Sequence, residues 1–212
     1  MKREYLYYVA PLILVFPFLF IRRRKVKIRD ISRQLPIGPN GQWPSRDMSQ
    51  VTDITLHHTA SPPTWAPERV AGVHVKRWGY GIAYHYLVYP DGKVYQVNKD
   101  QAKSWHNGYN NTRAIGISMV GNYEIALVSP QMEKAVIDTA VMLKRKYPSI
   151  TNLLGHKELP GASTACPGAY TNIDGIRKKT GLSNPYRSSG QGVARKLGFY
   201  QEEGYKKNRA DN

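Results

Sequence analysis

The sequence predicts an α/β domain, because β-prone segments alternate along the chain with segments of helical periodicity. The composition supports a folded domain: 41% of the residues are hydrophobic and 22% are charged, which is typical of globular proteins. A chain of 212 residues accommodates one domain of ordinary size together with terminal extensions.

Four segments are predicted to be strands. Asp53–His58 alternates and is β-prone, so it is the first predicted strand. Residues 83–89 and 93–98 are also β-prone, and the sequence Pro-Asp-Gly at 90–92 between them predicts a hairpin turn. Residues 114–120 form the last predicted strand.

Three segments are predicted to be helices. Residues 67–78 begin with a proline, which is favoured in the first turn of a helix. Ser129 and Pro130 supply an N-cap and a first-turn proline for the clearest helix of the chain. Apolar residues then follow at helical spacing: Met132, Ala135, Val136, Ala140, Leu143 and Tyr147. Residues 169–180 are expected to form a short closing helix.

The N-terminal segment suggests a membrane contact. Residues 5–21 carry no charge and are followed by the basic cluster 22–25, so we expect a transmembrane helix that contacts lipid. A cleaved signal peptide is the rival hypothesis, but no small-residue cleavage site follows the apolar run. A buried helix or a contact within a virion is the third. The expected location is therefore membrane-associated.

Composition and charge divide the whole chain into four predicted segments. The predicted organisation is a hydrophobic membrane segment with a basic flank at 1–27, a linker and lead-in at 28–50, the main domain at 51–182 and a basic tail at 183–212. The net charge of +16 favours polyanionic partners. No nucleic-acid-binding module is recognised, so we expect no nucleic acid among them.

Histidines and the single cysteine are the candidate metal ligands. A catalytic zinc site uses three protein ligands, which usually come from strand ends and loops. His57 ends a predicted strand, His156 follows an apolar segment, and Cys166 lies in a loop rich in Pro and Gly. This spacing alone indicates a metal site only weakly, since a lone cysteine is more often a small buried hydrophobe.

The other histidines have more ordinary interpretations. His58 is expected to support the site or the fold, and His74 is expected on the surface of a helix. His85 alternates with Tyr84 along a strand, so at most one of these two side chains faces a metal. His106, beside Trp105, either lines a substrate groove or belongs to a packed core pair.

Five motifs in order carry a family resemblance. They are Ile-Thr-Leu-His-His-Thr-Ala at 54–60, Ala-Tyr-His-Tyr at 83–86, Trp-His-Asn-Gly at 105–108, Ile-Gly-Ile-Ser-Met-Val-Gly-Asn at 115–122, and the stretch from Gly155 to Gly168 containing Gly-His-Lys-Glu and Thr-Ala-Cys-Pro-Gly. Together they resemble the N-acetylmuramoyl-L-alanine amidase type 2 family, which includes phage lysozyme-type amidases and peptidoglycan recognition proteins. The resemblance covers roughly residues 50–180.

The resemblance implies a mixed central β-sheet flanked by helices, with Zn²⁺ in a surface groove. It implies His57, His156 and Cys166 as metal ligands, Tyr84 as a catalytic tyrosine, and Thr164 as a residue that binds the polarised carbonyl. One subgroup of the family has a glutamate in the strand that here contains Ser118. The sequence departs from that subgroup, which leaves the general base unassigned.

The implied activity is hydrolysis of the amide bond between N-acetylmuramic acid and L-alanine in bacterial peptidoglycan, by a phage or envelope lytic enzyme. A non-catalytic peptidoglycan-binding module is the alternative. Relatives that only bind typically lack the cysteine ligand, so the presence of Cys166 favours the enzyme.

The basic cluster after residue 21 predicts that the domain faces the cytoplasm, where mature peptidoglycan is absent. Two explanations are open: a phage product, released when the membrane is breached or carried in a virion, or insertion of the segment against this statistical rule. The small size and the missing glutamate favour the phage product.

Overall fold

A single six-stranded sheet forms the centre of the computed structural model, which describes residues 26–186. The strands occur in the order β1-β4-β3-β5-β2-β6 across the sheet. Their bounds are β1 (Ile28–Asp30), β2 (Asp53–His58), β3 (Tyr86–Val88), β4 (Val94–Gln96), β5 (Ala114–Met119) and β6 (Asn152–Gly155). The helices are α1 (Pro67–Trp78), α2 (Pro130–Lys146) and α3 (Ile173–Thr180), and three 3-10 turns lie at Met48–Gln50, Gly108–Asn110 and His156–Glu158.

The sheet is mixed. Strands β3, β5, β2 and β6 are parallel neighbours, whereas β4 pairs antiparallel with β3 and parallel with β1. The carboxyl ends of β5, β2 and β6 therefore lie side by side at one edge, which is where open α/β sheets bind ligands. The predicted α/β class with a mixed, helix-flanked sheet is confirmed.

One face of the sheet packs against α2 and α3. Met132, Val136 and Leu143 of α2 are fully buried against a shared core with the strands, and Ile176 of α3 joins them. Ser129 caps α2 by accepting a hydrogen bond from the backbone N–H of Met132 at 3.1 Å. The predicted helical spacing and its capping are confirmed.

The other face carries α1 and the candidate site. Val70 and Ala71 of α1 are buried in a second core with Leu87 and Val120. Because side chains alternate along a strand, Ile54 and Leu56 of β2 point into the α2–α3 core, and His57 points to the opposite face. Positions 114, 116 and 118 of β5 lie on the same face as His57, since His57 and Ser118 are paired in register.

Two strands are absent from the sequence prediction, and others are shorter than predicted. The strands β1 and β6 have three and four residues, too few for a periodic pattern to emerge. The predicted strand at 83–89 is reduced to β3 because the chain bends at residues 81–85 before it enters the sheet. Residues 28–50, expected as a linker and lead-in, pack on the domain: β1 pairs with β4, and Leu35 and Trp43 are buried.

The prediction of a membrane-associated location is contradicted. Among residues 26–186, no helix has the length and apolar character needed to cross a bilayer. The apolar segment 5–21, on which the transmembrane prediction and the lipid contact depend, lies outside the described residues. The predicted basic tail also lies outside them from residue 187 onward.

Candidate metal centre

Three side chains that are distant in sequence meet at the carboxyl edge of the parallel strands. His57 is near the end of β2, His156 directly follows β6, and Cys166 lies in the loop before α3. One donor atom from each lies within 4.8 Å of the other two. The structure thus brings together the three residues that the resemblance implies as ligands; their binding of a metal stays a prediction.

Backbone and ion-pair contacts hold the two loops that carry His156 and Cys166. The N–H of Lys157 donates to the carbonyl oxygen of Cys166 at 2.8 Å, which ties one loop to the other. The carboxylate of Glu158 accepts from the N–H of Gly155 at 2.9 Å and pairs with the largely buried guanidinium of Arg177 at 2.7 Å. These contacts fix the chain on both sides of His156.

A line of hydrogen bonds behind His57 defines which of its ring nitrogens faces the other candidate ligands. The Nε2 atom of His106 lies 3.1 Å from the carbonyl oxygen of Ala114 and must donate to it, because a carbonyl only accepts. The Nδ1 atom of neutral His106 is then an acceptor, and it lies 3.0 Å from Nε2 of His57. His57 therefore carries its proton on Nε2, and its Nδ1 lone pair is available to a metal.

A glycine makes room for this arrangement. A Cβ atom at position 116 would lie 2.8 Å from Nδ1 of His106, so only glycine leaves the ring its place beside β5. His85 packs edge-on against His106 with ring centroids 5.3 Å apart, and its Nδ1 accepts from the N–H of Gly116 at 3.0 Å. The predicted packing role of His85 is consistent with these contacts.

Arg46 supports the same line of hydrogen bonds through the carbonyl group of Ala114. Its buried guanidinium donates to the carbonyl oxygen of Ala114 at 2.7 Å, the acceptor that His106 also uses. A second nitrogen of Arg46 lies 3.2 Å from Nε2 of His85 and 3.0 Å from the carbonyl of Asp100. Arg46 has no sequence signature of this role, because a lone arginine in a polar lead-in gives no local signal of burial.

Burial controls the protonation of the three donors. Burial, together with the nearby His106 and His156, holds the pKa of His57 well below its ordinary value, and the side chain of Asn107 opposes this only in part. Burial also lowers the pKa of His156. Both imidazoles are therefore neutral near pH 7, which is the form that binds metals.

The thiol of Cys166 needs a cation to ionise. Burial raises its pKa to about 11, although the N–H of His58, at 3.4 Å from Sγ, and the charge of Lys157 act in the opposite direction. Without a metal the thiol is protonated at neutral pH. A coordinated cation reverses this balance, because it binds the thiolate directly.

The spacing of the donor atoms fits a tetrahedral metal. Sγ of Cys166 lies 3.6 Å from Nδ1 of His57. Zinc–sulfur and zinc–nitrogen bonds of ordinary length, at a tetrahedral angle, place those two atoms about 3.6 Å apart. Imidazole nitrogen and thiolate sulfur are both ligands that zinc binds, and three protein ligands leave the fourth position open, as in catalytic zinc sites.

Tyr84 lies beside the triad. Its ring centroid is 5.2 Å from that of His57. Burial is the main cause that raises the pKa of Tyr84, the charge of Cys166 adds to it, and the hydroxyl of Ser118 partly offsets both. The buried Oγ of Ser118 makes no standard hydrogen bond to any of the residues that the structure describes. Tyr84 is therefore a protonated phenol at neutral pH.

Thr164 lies on the open side of the triad. Its side chain is exposed, and its Oγ1 accepts a hydrogen bond from the N–H of Cys166 at 3.2 Å. The hydroxyl proton of Thr164 is therefore free to donate outward. His156 is only half-buried, whereas His57 and Cys166 are buried, so solvent reaches the donor atoms from the side of His156 and Thr164.

The remaining histidines are buried. His58 has a supporting role as predicted: its N–H donates to Sγ of Cys166, and its Nδ1 accepts from the N–H of Tyr123 at 3.1 Å. The surface position predicted for His74 is wrong. This residue shares the buried face of α1 with Val70 and Ala71, and its Nδ1 accepts from the N–H of Ala83 at 2.9 Å. His74 lies four positions after Val70, a spacing that places both residues on the same face of a helix, and this was the sequence signal for its burial.

The sequence matches of the chain point to one family. A family model described as N-acetylmuramoyl-L-alanine amidase matches residues 47–169. A peptidoglycan-recognition protein of Drosophila simulans is 30% identical over 146 residues, which cover 64% of this chain and 77% of that protein. The human protein N-acetylmuramoyl-L-alanine amidase is 31% identical over 157 residues, 62% of this chain and 26% of its own length.

Solved structures agree with the sequence matches. The N-acetylmuramoyl-L-alanine amidase endolysin LysCS from Clostridium intestinale URNW superposes with a TM-score of 0.66 at 28% identity, covering 76% of this chain and 99% of that one. The Ph2119 endolysin, from a bacteriophage of Thermus scotoductus MAT2119, gives a TM-score of 0.57 at 30% identity, covering 73% and 99%. Neither similarity supports the predicted membrane location or lipid contact. The chain belongs to the N-acetylmuramoyl-L-alanine amidase family.

Proposed function

We propose that the protein is a zinc-dependent peptidoglycan hydrolase that cleaves the amide bond between N-acetylmuramic acid and L-alanine. The observation that carries the proposal is the complete set of donors, His57, His156 and Cys166, with atoms close enough to share one ion. A zinc ion held there supplies Lewis acidity toward a water molecule and toward the amide carbonyl of the substrate.

The side chains around the triad complete the proposed chemistry. Tyr84 keeps its proton because burial raises its pKa, so its hydroxyl donates a hydrogen bond that orients the attacking water or passes a proton to the leaving nitrogen. The free hydroxyl proton of Thr164 donates to the carbonyl oxygen as negative charge develops on it. Thr164 lies on the side from which solvent reaches the donors, whereas Tyr84 packs against His57 from within the domain.

A recognition module without catalysis is the alternative, because several similar proteins are named as peptidoglycan-recognition proteins. Such a module needs the groove but not the metal. The protected Nδ1 lone pair of His57 and the thiol of Cys166 at 3.6 Å favour the enzyme, since peptidoglycan binding alone requires neither. The similarity to two endolysins, one of them from a bacteriophage, favours a lytic role against the bacterial wall.

The catalytic unit of this proposal is residues 51–182, on which the lead-in at 28–50 packs. Sequence similarity falls mainly within this range, from residue 47 to residue 169. The closing helix α3 completes it, because Ile176 is buried in the core and Arg177 anchors the loop of His156.

Digestion of purified peptidoglycan by the full-length protein tests the proposal. We expect zinc to be required and the products to be stem peptides with a free L-alanine amino group, identified by mass. The Cys166→Ser variant is the matched control, which should bind the wall without releasing peptides. New reducing sugar ends would indicate a glycosidase, and wall binding without any products would indicate the recognition module.

A further inference from the structure

Four aromatic side chains form a cluster next to the candidate metal centre. We call this cluster, Trp43, Trp78, Tyr80 and Trp105, the aromatic platform. Trp43 stacks on Tyr80 with ring centroids 4.5 Å apart, and Trp105 tilts against Trp43 at 5.9 Å. Trp78 meets the edge of Trp43 at 6.4 Å.

The platform has a fixed base and an open top. Trp43 is only 5% exposed, and its indole N–H donates to the carbonyl oxygen of Ile82 at 2.8 Å. Trp105, which rests on this base, is 43% exposed, and Tyr80 is half-buried. Large aromatic surface that a fold supports but leaves in water commonly marks a binding site.

The platform is continuous with the metal centre. Trp105 immediately precedes His106, whose ring contacts that of His57 at 5.1 Å. A second series of ring contacts runs from Trp78 to His74 at 4.9 Å, from His74 to Tyr84 at 5.0 Å, and from Tyr84 to His57. Because His57, His74 and His106 are buried, these contacts join the platform to the triad through the interior of the domain. The platform and the triad are therefore neighbours in the fold, and Trp105 is the exposed ring on the platform side.

The base of the platform lies outside the part of the chain that matches the family model. Trp43 comes from the lead-in segment, whereas the match begins at residue 47. The other three platform residues, Trp78, Tyr80 and Trp105, lie within the match. Family membership therefore does not account for Trp43, the buried residue on which Trp105 rests.

The chemistry of the platform favours a neutral ring over a charged peptide. Among the described residues, Arg77, at 5.0 Å from the ring of Trp78, is the only cation that lies over the face of a platform ring. A peptide stem with carboxylates would call for several cations. A pyranose presents C–H bonds on its face, which suit the electron-rich face of an aromatic ring, and hydroxyl groups at its edge, which stay in water.

We propose that the aromatic platform binds a pyranose of the glycan strand, next to the sugar that carries the scissile amide. This inference rests on the proposed function for the identity of the substrate. It assigns Trp105 as the stacking residue and Trp43 as the residue that positions it.

Calorimetric titration with the β-1,4-linked tetramer of N-acetylglucosamine tests the platform without any hydrolysis. The full-length protein is kept metal-free with a chelator, so the result does not depend on catalysis. We expect the wild-type protein to bind the tetramer and Trp105→Ala to weaken binding at least about tenfold, with partial recovery in Trp105→Tyr. Tyr170→Ala, which removes an aromatic 52% exposed outside the platform, should bind as the wild type does.

Failure of this proposal is distinguishable from failure of the proposed function. A wild-type protein that does not bind the tetramer, or a Trp105→Ala variant that binds it equally well, overturns the platform even if the amidase is active. Tetramer binding that depends on Trp105 sustains the platform even if no hydrolysis is found. With an active enzyme, Trp105→Ala should raise KM for wall fragments of several disaccharides but not for N-acetylmuramoyl dipeptide. Equal effects on both substrates overturn the assignment.

Discussion

Nε2 of His57 lies 3.0 Å from Nδ1 of His106, and this contact connects the candidate metal centre to the backbone of β5. The carbonyl oxygen of Ala114 determines the tautomer of His106, and His106 in turn determines that of His57. The hydrogen bond from His106 to the carbonyl oxygen of Ala114 therefore determines that the lone pair of His57 on Nδ1 faces Cys166.

The first prediction concerns this line of hydrogen bonds. The variant His106→Phe retains a ring of similar size but removes the acceptor for His57, so the orientation and tautomer of His57 are no longer fixed. We expect zinc affinity to fall about 10- to 100-fold, as measured by competition with a chromophoric chelator. His106→Gln, which keeps an acceptor, should lose less. Unchanged affinity in His106→Phe, with a native melting temperature, would show that His106 only fills space.

The second prediction concerns the thiol. A hydroxyl is a poor zinc ligand, so Cys166→Ser should abolish hydrolysis and zinc retention while the metal-free protein stays folded. Metal content after dialysis and the far-ultraviolet circular dichroism spectrum measure the two properties. A variant with both His57→Ala and Cys166→Ser that still retains one zinc per chain would rule out the proposed ligand set.

The third prediction separates the two proposed helpers. Tyr84→Phe removes only a hydroxyl, so zinc should be retained while kcat falls on the order of 10²-fold or more if the tyrosine assists proton transfer. Thr164→Ala should have a smaller effect, because the metal still polarises the carbonyl. Steady-state kinetics on a soluble muropeptide, with zinc content as the control, measure both. Wild-type turnover in Tyr84→Phe would remove the tyrosine from the mechanism.

The fourth prediction concerns acid stability of the metal-free protein. Burial lowers the pKa of His74 to about 4. In the unfolded chain this histidine titrates near 6.5, so from that pH down to about 4 the unfolded state binds a proton that the folded state does not. The stabilisation is complete above pH 6.5 and is lost as the pH falls through this window, by about 2 to 3 kcal/mol.

Urea unfolding at pH 7.5 and pH 4.5 measures this loss. The variant His74→Gln keeps a side-chain acceptor for the N–H of Ala83 but does not titrate. Its free energy of unfolding should therefore decrease less between the two pH values than that of the wild type. An identical decrease in both proteins would assign the acid sensitivity to the other buried histidines.

The sequence alone predicted the elements with strong local signals. Strand β2 and helix α1 have the predicted bounds, and α2 begins where Ser129 and Pro130 supply a cap and a first-turn proline. These elements have a clear period or a capping residue, so local sequence determines them. The family and its mixed sheet were also accessible, because five motifs occur in the expected order.

The neighbours of the candidate ligands required the tertiary structure. The sequence left open whether His106 lines a substrate groove or packs in the core. Its sequence context does not reveal that the ring lies behind His57 and against Gly116 of β5. Arg46 and Trp43 gave no signal, since residues 28–50 resemble a linker in composition. Their burial depends on β1 pairing with β4 and on packing across the sheet.

The sequence by itself thus determined the fold class, the family and the identity of the candidate ligands, because these depend on local periodicity and on motifs. Only the tertiary structure decided which nitrogen of His57 is free, that His74 is buried, and that Trp43 and Trp105 form one surface beside the metal centre. The physical reason is that hydrogen bonds and ring contacts between residues 49 or 62 positions apart, such as His57 with His106 and Trp43 with Trp105, arise only when the sheet aligns their segments.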